Sequence, residues 1–181
     1  MNIKTILSSL IKLFVASLIL FVLFFKTFGI TVVKGFSMNN TIDNEDVVLL
    51  DMYTYQDNLP NYEDVVIVKR NYSNIDYSYK NKFLIKRVIG LPNDKIDILN
   101  NKLYRNNKLV SESYIKEPME CENMTFYIPK GKIFVMGDNR NDSLDSRSNK
   151  IGFIDVDHQL YAKAIYDISQ NKRIWRKNSL L

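Results

Sequence analysis

An uninterrupted apolar run near the N-terminus constrains the fold of this chain more than any other feature of its sequence. Residues 6–25 read ILSSLIKLFVASLILFVLFF and carry a single charge, that of Lys12. At a rise of about 1.5 Å per residue, a helix of this length spans roughly the hydrocarbon core of a bilayer. The flexible stem of Lys12 can carry its ammonium group toward the lipid headgroups. The run therefore predicts a transmembrane helix.

The residues after this run distinguish a retained anchor from a cleavable signal peptide. A signal peptide ends in a small-x-small cleavage site, whereas the sequence here continues KTFGITVVKGF. We therefore predict a membrane anchor over residues 1–28. Its orientation stays open, because Lys4 and Lys12 on one side are balanced by Lys26 and Lys34 on the other.

Residues 29–181 show the patterns of short strands rather than those of helices. The pairs Asn100-Asn101 and Asn106-Asn107 predict tight hairpin turns, because asparagine tolerates a positive φ. Strand-like runs recur between turn-forming residues: DVVLLDMYTY, EDVVIVKR, FLIKRVIG, KIDILNNKLYRNNKLV, MTFYIP, KIFVMG and YAKAIYDI. We predict one mostly β domain of antiparallel coiled β-sheets, with a small, irregular insertion over about residues 98–124.

The composition excludes several kinds of site. The chain has one cysteine, Cys121, and one histidine, His158, so it can form neither an intrachain disulfide nor the usual Cys/His zinc site. No Gly-x-Ser-x-Gly elbow is present, and a Ser-His-Asp triad would depend on His158 alone. We therefore predict no metal and no cofactor. A serine enzyme built on this chain needs a base other than histidine.

The charge pattern leaves two interpretations open. The formal net charge of +5 fits anionic lipid headgroups or an ordinary solvated surface. The basic C-terminal tail, NKRIWRKNSLL, likewise fits contact with a lipid surface or a frayed terminus.

Two segments contain residues that can form a serine-based site. In VVKGFSMNNTI, residues 32–42, Ser37 follows Gly35, which allows another backbone to approach closely; alone, such a serine is usually a solvated turn residue. In FLIKRVIGLPNDKI, residues 83–96, alternation along a strand points Lys86 and Arg87 to opposite faces. A lysine buried among apolar side chains has a lowered pKa, so its neutral amine can take a proton from a serine hydroxyl. An edge-strand lysine in solvent is the alternative.

A third segment, residues 131–154, is crowded with polar side chains. It reads GKIFVMGDNRNDSLDSRSNKIGFI, so a turn rich in acidic, basic and hydroxyl groups follows an apolar strand. Ser143 can orient the amine of a lysine base, while Asp145 and Arg147 brace the loop through bidentate hydrogen bonds. A purely solvated turn is again the alternative.

Together the three segments resemble the type I signal peptidase (leader peptidase) family, in its compact Gram-positive form with a serine-lysine dyad. The family motifs read roughly Gly-x-Ser-Met-x-Pro-Thr-Leu, Lys-Arg-Val-x-Gly-Leu-Pro-Gly-Asp and Gly-Asp-Asn-Arg-x-x-Ser-x-Asp-Ser-Arg. Their order and spacing match this chain from the anchor to about Ile154. The departures are Asn40 for the proline, Ile42 for the leucine and Asn93 for a glycine. We expect Asn93 to keep its turn, whereas loss of the proline loosens the loop at Thr41.

The resemblance implies a role for each matching residue. Ser37 is the acylated nucleophile, Lys86 the general base, and Ser143 the hydroxyl that positions the lysine. Asp145 and Arg147 are structural supports. The backbone N–H of the nucleophile contributes to an oxyanion hole. The second donor is open, because Gly35 lies where some members have a serine.

The resemblance also implies substrates and a location. Members are single-pass proteins of the cell membrane with the catalytic domain on the extracytoplasmic side. They remove signal peptides from secretory preproteins after small residues, at sites of the Ala-x-Ala type. We expect substrate contacts at Gly35 and at three bulky aliphatic residues, Val33, Ile42 and Ile85, since bulky walls leave room for small side chains only.

Three other functions remain open. One is a specialised peptidase that processes a pilin or conjugation protein, and a second is a tethered β domain that binds exported proteins without cutting them. The third, a self-cleaving regulator of the serine-lysine kind, requires an N-terminal DNA-binding module where this chain has an apolar anchor. Nucleic acid is therefore not an expected partner.

Overall fold

The computed structural model describes residues 3–70 and 83–174. One helix, α1 (Ile3–Thr27), precedes twelve strands within these ranges. The strands are β1 Phe28–Val32, β2 Val47–Asp51, β3 Val65–Lys69, β4 Phe83–Gly90, β5 Lys95–Leu99, β6 Lys102–Arg105, β7 Lys108–Leu109, β8 Met124–Tyr127, β9 Lys132–Met136, β10 Ile154–Asp155, β11 Leu160–Asp167 and β12 Lys172–Arg173.

Helix α1 contains the whole of the apolar run. It is 25 residues long, which at about 1.5 Å per residue is enough to cross a bilayer with some tilt. None of its described residues is buried against the rest of the protein. Its apolar side chains are therefore available to a lipid environment. The helix ends one residue before β1, so the β domain begins directly at the end of the apolar segment.

The strands form two antiparallel sheets. The large sheet has the order β1-β2-β11-β3-β4-β9-β10, with β12 added beside β11. The small sheet has the order β7-β6-β5-β8. Register shifts interrupt the pairing of β11 with β2, of β11 with β3 and of β4 with β9. Such bulges increase the local twist of a sheet, and the prediction of antiparallel coiled β-sheets is confirmed.

Strand β3 explains why the large sheet has apolar cores on both faces. Val65 and Ile67 belong to one buried cluster, while Val66 and Val68 belong to another on the opposite face. Both faces of β3 are covered, so its sequence is a continuous apolar run rather than an alternating one. The first of these clusters also contains Met38, from the segment that carries Ser37.

The small sheet packs against β4 and β9 through a shared buried cluster. Its tight turns are asparagine hairpins. Asn100, Asn101, Asn106 and Asn107 all have a positive φ, between 50° and 64°, so both predicted tight turns are confirmed. The region predicted as an irregular insertion, residues 98–124, contains β6 and β7. The portion of it that lacks strands is 110–123.

All seven predicted strand regions contain strands, namely β2 to β9 and β11. The structure adds three that the sequence patterns did not indicate, namely β1, β10 and β12. Two of these have only two residues, too few to show a period. Strand β1 directly continues the apolar anchor, and its first residue, Phe28, was predicted to belong to that anchor. Most of the C-terminal tail, residues 175–181, lies outside the described part of the chain.

Candidate active site

Ser37 lies in a tight turn that the third polar segment holds in place. The Phe36 carbonyl oxygen accepts from the Asn39 N–H at 3.1 Å, and the Met38 carbonyl oxygen accepts from the Thr41 N–H at 3.0 Å. The Met38 side chain is only 1% exposed, which anchors the turn in the core. Asn139 then donates twice, from its backbone N–H to the Ser37 carbonyl oxygen at 3.0 Å and from its side chain to the Phe36 carbonyl oxygen at 3.1 Å.

Lys86 reaches the Ser37 hydroxyl from strand β4. Its Nζ lies 2.5 Å from Ser37 Oγ and donates to the Ile85 carbonyl oxygen at 2.9 Å. The side chain is 3% exposed, and this burial lowers the pKa of Lys86 from 10.5 to about 8, although Asp145 and Asp138 oppose the shift. Residues 49 positions apart in the sequence are thereby brought into hydrogen-bonding contact.

Ser143 is close to this pair but does not make the predicted hydrogen bond. Among the described residues, the buried Ser143 Oγ has no hydrogen-bond partner, and the hydrogen bonds of Lys86 Nζ go to Ser37 and Ile85. A Cβ built on Gly137 would lie 2.3 Å from Ser143 Oγ and 2.4 Å from the Ser37 carbonyl oxygen. The close packing of the two loops at this point therefore requires a glycine.

Asp145 and Arg147 form the bidentate pair that the sequence predicted. Arg147 donates from Nε and Nη2 to the two carboxylate oxygens of Asp145 at 2.8 and 2.9 Å. Asp145 also accepts from the Gly137 N–H at 3.0 Å, and Arg147 donates to the Arg140 carbonyl oxygen at 2.7 Å. Burial alone would raise the pKa of Asp145, but the Arg147 guanidinium and the Gly137 N–H outweigh it and lower that pKa.

A buried network around Arg87 was missed from the sequence. As alternation along β4 predicted, Arg87 points away from Lys86, yet it is also buried, at 4% exposed. Its guanidinium donates to both oxygens of Asp138, at 2.8 and 2.5 Å, and to Thr41 Oγ1 at 3.2 Å. Thr41 in turn donates to Asp138. Each of these three residues comes from a different one of the three segments. The sequence feature that could have indicated the network is Arg87, an arginine within an apolar strand.

A second set of contacts holds the 110–123 segment against the site. Glu112 pairs with the Arg140 guanidinium and accepts from the Tyr114 hydroxyl at 3.0 Å. The Tyr114 ring lies 4.2 Å from the Arg87 guanidinium. Asn40 has φ 87° and donates from its side chain to the Tyr114 carbonyl oxygen at 3.1 Å. Where the sequence predicted a loosened loop, the structure has an asparagine that ties the loop to a neighbouring segment. Asn93, at φ 71°, keeps its turn as predicted.

A cleft of about 440 Å³ leads away from Ser37 and Lys86. One wall is β1 with the residues that follow it, the other is the first half of β4, and β2, β3 and β11 contribute the remaining side chains. The lining residues are Gly29, Ile30, Thr31, Val32, Val33, Lys34, Ser37, Leu50, Met52, Ile67, Phe83, Leu84, Ile85, Lys86 and Tyr161. Within the described residues, β1 pairs only with β2, so its other edge is open to an extended peptide.

The structure separates the four predicted substrate-contact residues into two pairs. Val33 and Ile85 line the cleft. Ile42 does not, because its side chain is fully buried in the core beneath the Ser37 turn. Gly35 is also absent from the lining; its φ is 110°, a conformation that favours glycine, and its N–H donates to Asn44 Oδ1 at 2.9 Å. Substrate contact at Ile42 and Gly35 stays a prediction, and neither residue is among those that line this cleft.

A lysine amine buried against a serine hydroxyl, at one end of an open-edged cleft in a β domain, has the form of a serine-lysine peptidase site. The family model described as signal peptidase, peptidase S26, matches residues 6–166, which include every residue of this site. The chain therefore belongs to the signal peptidase family, peptidase S26.

Comparison with individual proteins gives the same family. The chain is 33% identical to signal peptidase IB of Staphylococcus aureus (strain COL), over 85% of each chain. It is 35% identical to thylakoidal processing peptidase 1, chloroplastic, of Arabidopsis thaliana, over 62% of this chain and 34% of that protein. The chain thus spans about a third of the length of the thylakoidal relative. The crystal structure of a signal peptidase I from Enterococcus faecalis V583 aligns with a TM-score of 0.46 and 25% identity, over 58% of this chain and 97% of the other.

Proposed function

We propose that this protein is a membrane-anchored serine endopeptidase that removes N-terminal signal peptides from exported preproteins. The observation that carries the proposal is the 2.5 Å separation of Lys86 Nζ and Ser37 Oγ, with the lysine buried. A pKa of about 8 leaves a useful fraction of this amine neutral near pH 7 to 8. Family membership over residues 6–166 supports the same activity.

The proposed reaction follows from these two groups. Neutral Lys86 takes the proton of the Ser37 hydroxyl as Oγ attacks the carbonyl carbon of the scissile peptide. The Ser37 N–H stabilises the oxyanion of the tetrahedral intermediate, and the protonated lysine gives its proton to the leaving amine. The resulting ester is hydrolysed by a water molecule that Lys86 deprotonates. This returns Ser37 to its starting state.

Ser143, Asp145 and Arg147 act as supports in this proposal. Asp145 and Arg147 hold the loop through the bidentate pair and the Gly137 N–H. Ser143 has a buried hydroxyl beside the Ser37 turn that makes no hydrogen bond to Lys86 in the resting structure, and we propose that the amine contacts it when the lysine moves during the reaction. Ser143 would therefore position Lys86 during turnover and not in the resting enzyme.

The cleft supports a substrate bound as an extended strand along the open edge of β1. Val33 and Ile85 flank its dyad end, where bulky aliphatic walls favour small substrate side chains. We propose cleavage after small residues, at sites of the Ala-x-Ala type. Anchoring by α1 in the cell membrane, with the β domain on the extracytoplasmic side, would place this cleft beside emerging preproteins.

The test is cleavage of a precursor with an Ala-x-Ala site by the detergent-solubilised protein. We expect the wild type to release a single product whose new N-terminus follows the second alanine. Ser37→Ala and Lys86→Ala should each reduce kcat/KM by at least about 1,000-fold, since each removes a reacting group. The exposed residues Ser111 and Lys102 provide matched controls, and Ser111→Ala and Lys102→Ala should cut at the wild-type rate. Equal cleavage by all five proteins would overturn the assignment of the dyad.

A further inference from the structure

The end of the cleft farthest from the dyad differs in chemistry from the dyad end. Among the lining residues in the described part of the chain, the charged ones are Lys34 and Lys86, and both lie at the dyad end. The far end is lined by Gly29, Met52, Phe83 and Tyr161, which we call the aromatic end. The Phe83 and Tyr161 rings are 4.9 Å apart, and these side chains are 38% and 45% exposed. Two large aromatic side chains are therefore partly open to the cleft.

The order of strands fixes the direction in which the cleft runs. Four successive antiparallel pairings, β1 with β2, β2 with β11, β11 with β3 and β3 with β4, leave β1 and β4 running in the same direction. Both walls therefore begin at the aromatic end, at Gly29 and Phe83, and lead toward the dyad, at Val33 and Lys86. Under the proposed function the signal peptide precedes the cut, so a peptide in the cleft would have its cut site at the dyad and its more N-terminal residues toward the aromatic end.

The aromatic end also lies against the end of the apolar helix. The Met52 N–H donates to the carbonyl oxygen of Thr27, the last residue of α1, at 2.8 Å. A Cβ built on Gly29 would lie 2.8 Å from Met52 Sδ, so the Met52 side chain lies directly over the start of β1. When α1 is in a bilayer, this end of the cleft is the part nearest the lipid.

The length of the cleft sets which substrate residue reaches the aromatic end. Val33 and Gly29 are four residues apart on an extended strand, a distance of about 13 Å. Four residues of an extended substrate cover the same distance, from the residue before the cut to the fifth residue before it. Side chains alternate along a strand, so the first, third and fifth residues before the cut point to the same side.

We propose that the aromatic end, through Tyr161, Phe83 and Met52, is a specificity site for an apolar side chain at the fifth residue before the cut. This inference rests on the proposed function, because it requires a substrate held with its scissile bond at Ser37. The occupant is the C-terminal end of the apolar part of a signal peptide, at the point where it leaves the membrane. The site gains affinity by burying apolar surface between the rings and the thioether.

The test compares two precursors that differ at the fifth residue before the cut. Both carry the same Ala-x-Ala site, and one has leucine and the other asparagine at that residue, two side chains of similar size. We expect wild-type kcat/KM to favour leucine by about tenfold, from partial burial of the side chain. Tyr161→Ser should reduce this preference to less than about twofold, and Tyr161→Phe should retain it, because the ring and not the hydroxyl makes the contact.

A matched control comes from the small sheet. Tyr127 is 70% exposed on β8, away from the cleft, so Tyr127→Ser should leave the preference for leucine unchanged. A wild type that cuts both precursors equally well, or a Tyr161→Ser variant that keeps the full preference, would overturn the aromatic end as a specificity site.

Measurements of precursor binding distinguish failure of the proposed function from failure of the aromatic end as a specificity site. The dissociation constants of the two precursors are measured with Ser37→Ala, which retains the cleft but lacks the nucleophile. If the wild type cuts neither precursor, the proposed function fails. A preference for leucine in binding, lost in the Ser37→Ala, Tyr161→Ser double variant, would still support the aromatic end. Equal binding of both precursors would overturn it.

Discussion

At the scale of single residues, the proposed chemistry depends on an amine that the fold removes from water. Lys86 is an ordinary lysine by sequence, and its lowered pKa arises from burial on β4 beside Ser37. The same burial has a cost in stability, because at neutral pH the folded state must either desolvate a positive charge or release a proton. Activity and stability therefore depend on the protonation of one group.

We expect kcat/KM to rise with pH and to level off above about pH 9. In the proposed reaction the neutral amine is the base, so a pKa of about 8 leaves roughly a hundredth of Lys86 active at pH 6. The measurement is a pH profile of cleavage. Asp142→Asn provides a control with a predicted direction. The Asp142 carboxylate raises the pKa of Lys86, so its removal should shift the pH profile to lower pH. A profile that falls as pH rises would contradict Lys86 as the base.

Lys86→Met should abolish cleavage but stabilise the folded chain at pH 7. The folded pKa of about 8 is below the 10.5 of an unfolded lysine, so the unfolded state binds more protons between these values. The free energy of unfolding of the wild type should thus rise by about 3 kcal/mol from pH 7 to pH 10.5 relative to Lys86→Met. Denaturant unfolding of both proteins in detergent measures this difference. Parallel pH dependences for the two proteins would show that Lys86 titrates normally.

Gly137→Ala should remove activity through the nucleophile turn. The added Cβ would lie 2.4 Å from the Ser37 carbonyl oxygen, a backbone atom that can yield only if the turn moves. A displacement of about 1 Å at a reacting group typically costs about 100-fold in rate. Gly152→Ala is the control: Gly152 has a positive φ but open space around it, so this substitution costs stability without displacing the turn. Normal kcat in Gly137→Ala would contradict the close packing seen here.

At the scale of elements, a turn, a strand and a loop are held together by buried polar contacts rather than by apolar packing alone. The Ser37 turn, β4 and the third polar segment meet at the network of Thr41, Arg87 and Asp138. Burial alone would lower the pKa of Arg87, but its pair with Asp138 outweighs this and raises it. Both side chains of the pair are buried, so loss of one partner would leave the other buried without its ion-pair partner.

Asn40→Pro, which restores the residue of the family motif, should harm this protein. Proline is fixed near φ −65°, whereas Asn40 has φ 87° and donates to the Tyr114 carbonyl oxygen. We expect a loss of at least about 2 kcal/mol in the free energy of unfolding and a clear fall in kcat. Asn40→Gly keeps the backbone conformation and should retain activity within about threefold. Equal activity of Asn40→Pro and the wild type would show that this turn adopts another conformation.

At the scale of the whole molecule, the anchor and the catalytic domain are separate in their packing. No described residue of α1 is buried, and the three apolar clusters of the β domain contain none of its residues. The β domain is closed by its own two sheets. The packing therefore shows that α1 does not complete the core, and under the proposed function it serves to place the cleft at the membrane.

A variant that lacks residues 1–27 should fold and remain active on soluble peptides. We expect its thermal unfolding midpoint to lie within a few degrees of that of the full chain in detergent, because no core contact is lost. Cleavage of a short peptide should be within about threefold of the full chain. Cleavage of a preprotein in liposomes should fall much further, because enzyme and substrate are no longer held on the same surface. An unfolded truncated protein would show that α1 stabilises the β domain.

The long apolar helix, the antiparallel β class and the hairpins at Asn100 and Asn106 could all be predicted from the sequence. These follow from local properties, namely a long apolar run, the alternation of side chains and the tolerance of asparagine for a positive φ. The motifs also located Ser37 and Lys86, because residue type and order carry that information without knowledge of the packing.

The tertiary structure alone decided which neighbouring side chains face the cleft. Val33 and Ile42 are both aliphatic residues of the same buried cluster close to Ser37, yet only Val33 also lines the cleft. That difference depends on how the turn folds back and how the sheet curls to bring β1 opposite β4, which are non-local properties. For the same reason, the link between Arg87 and Asp138 was visible only in the fold, since it joins residues 51 positions apart.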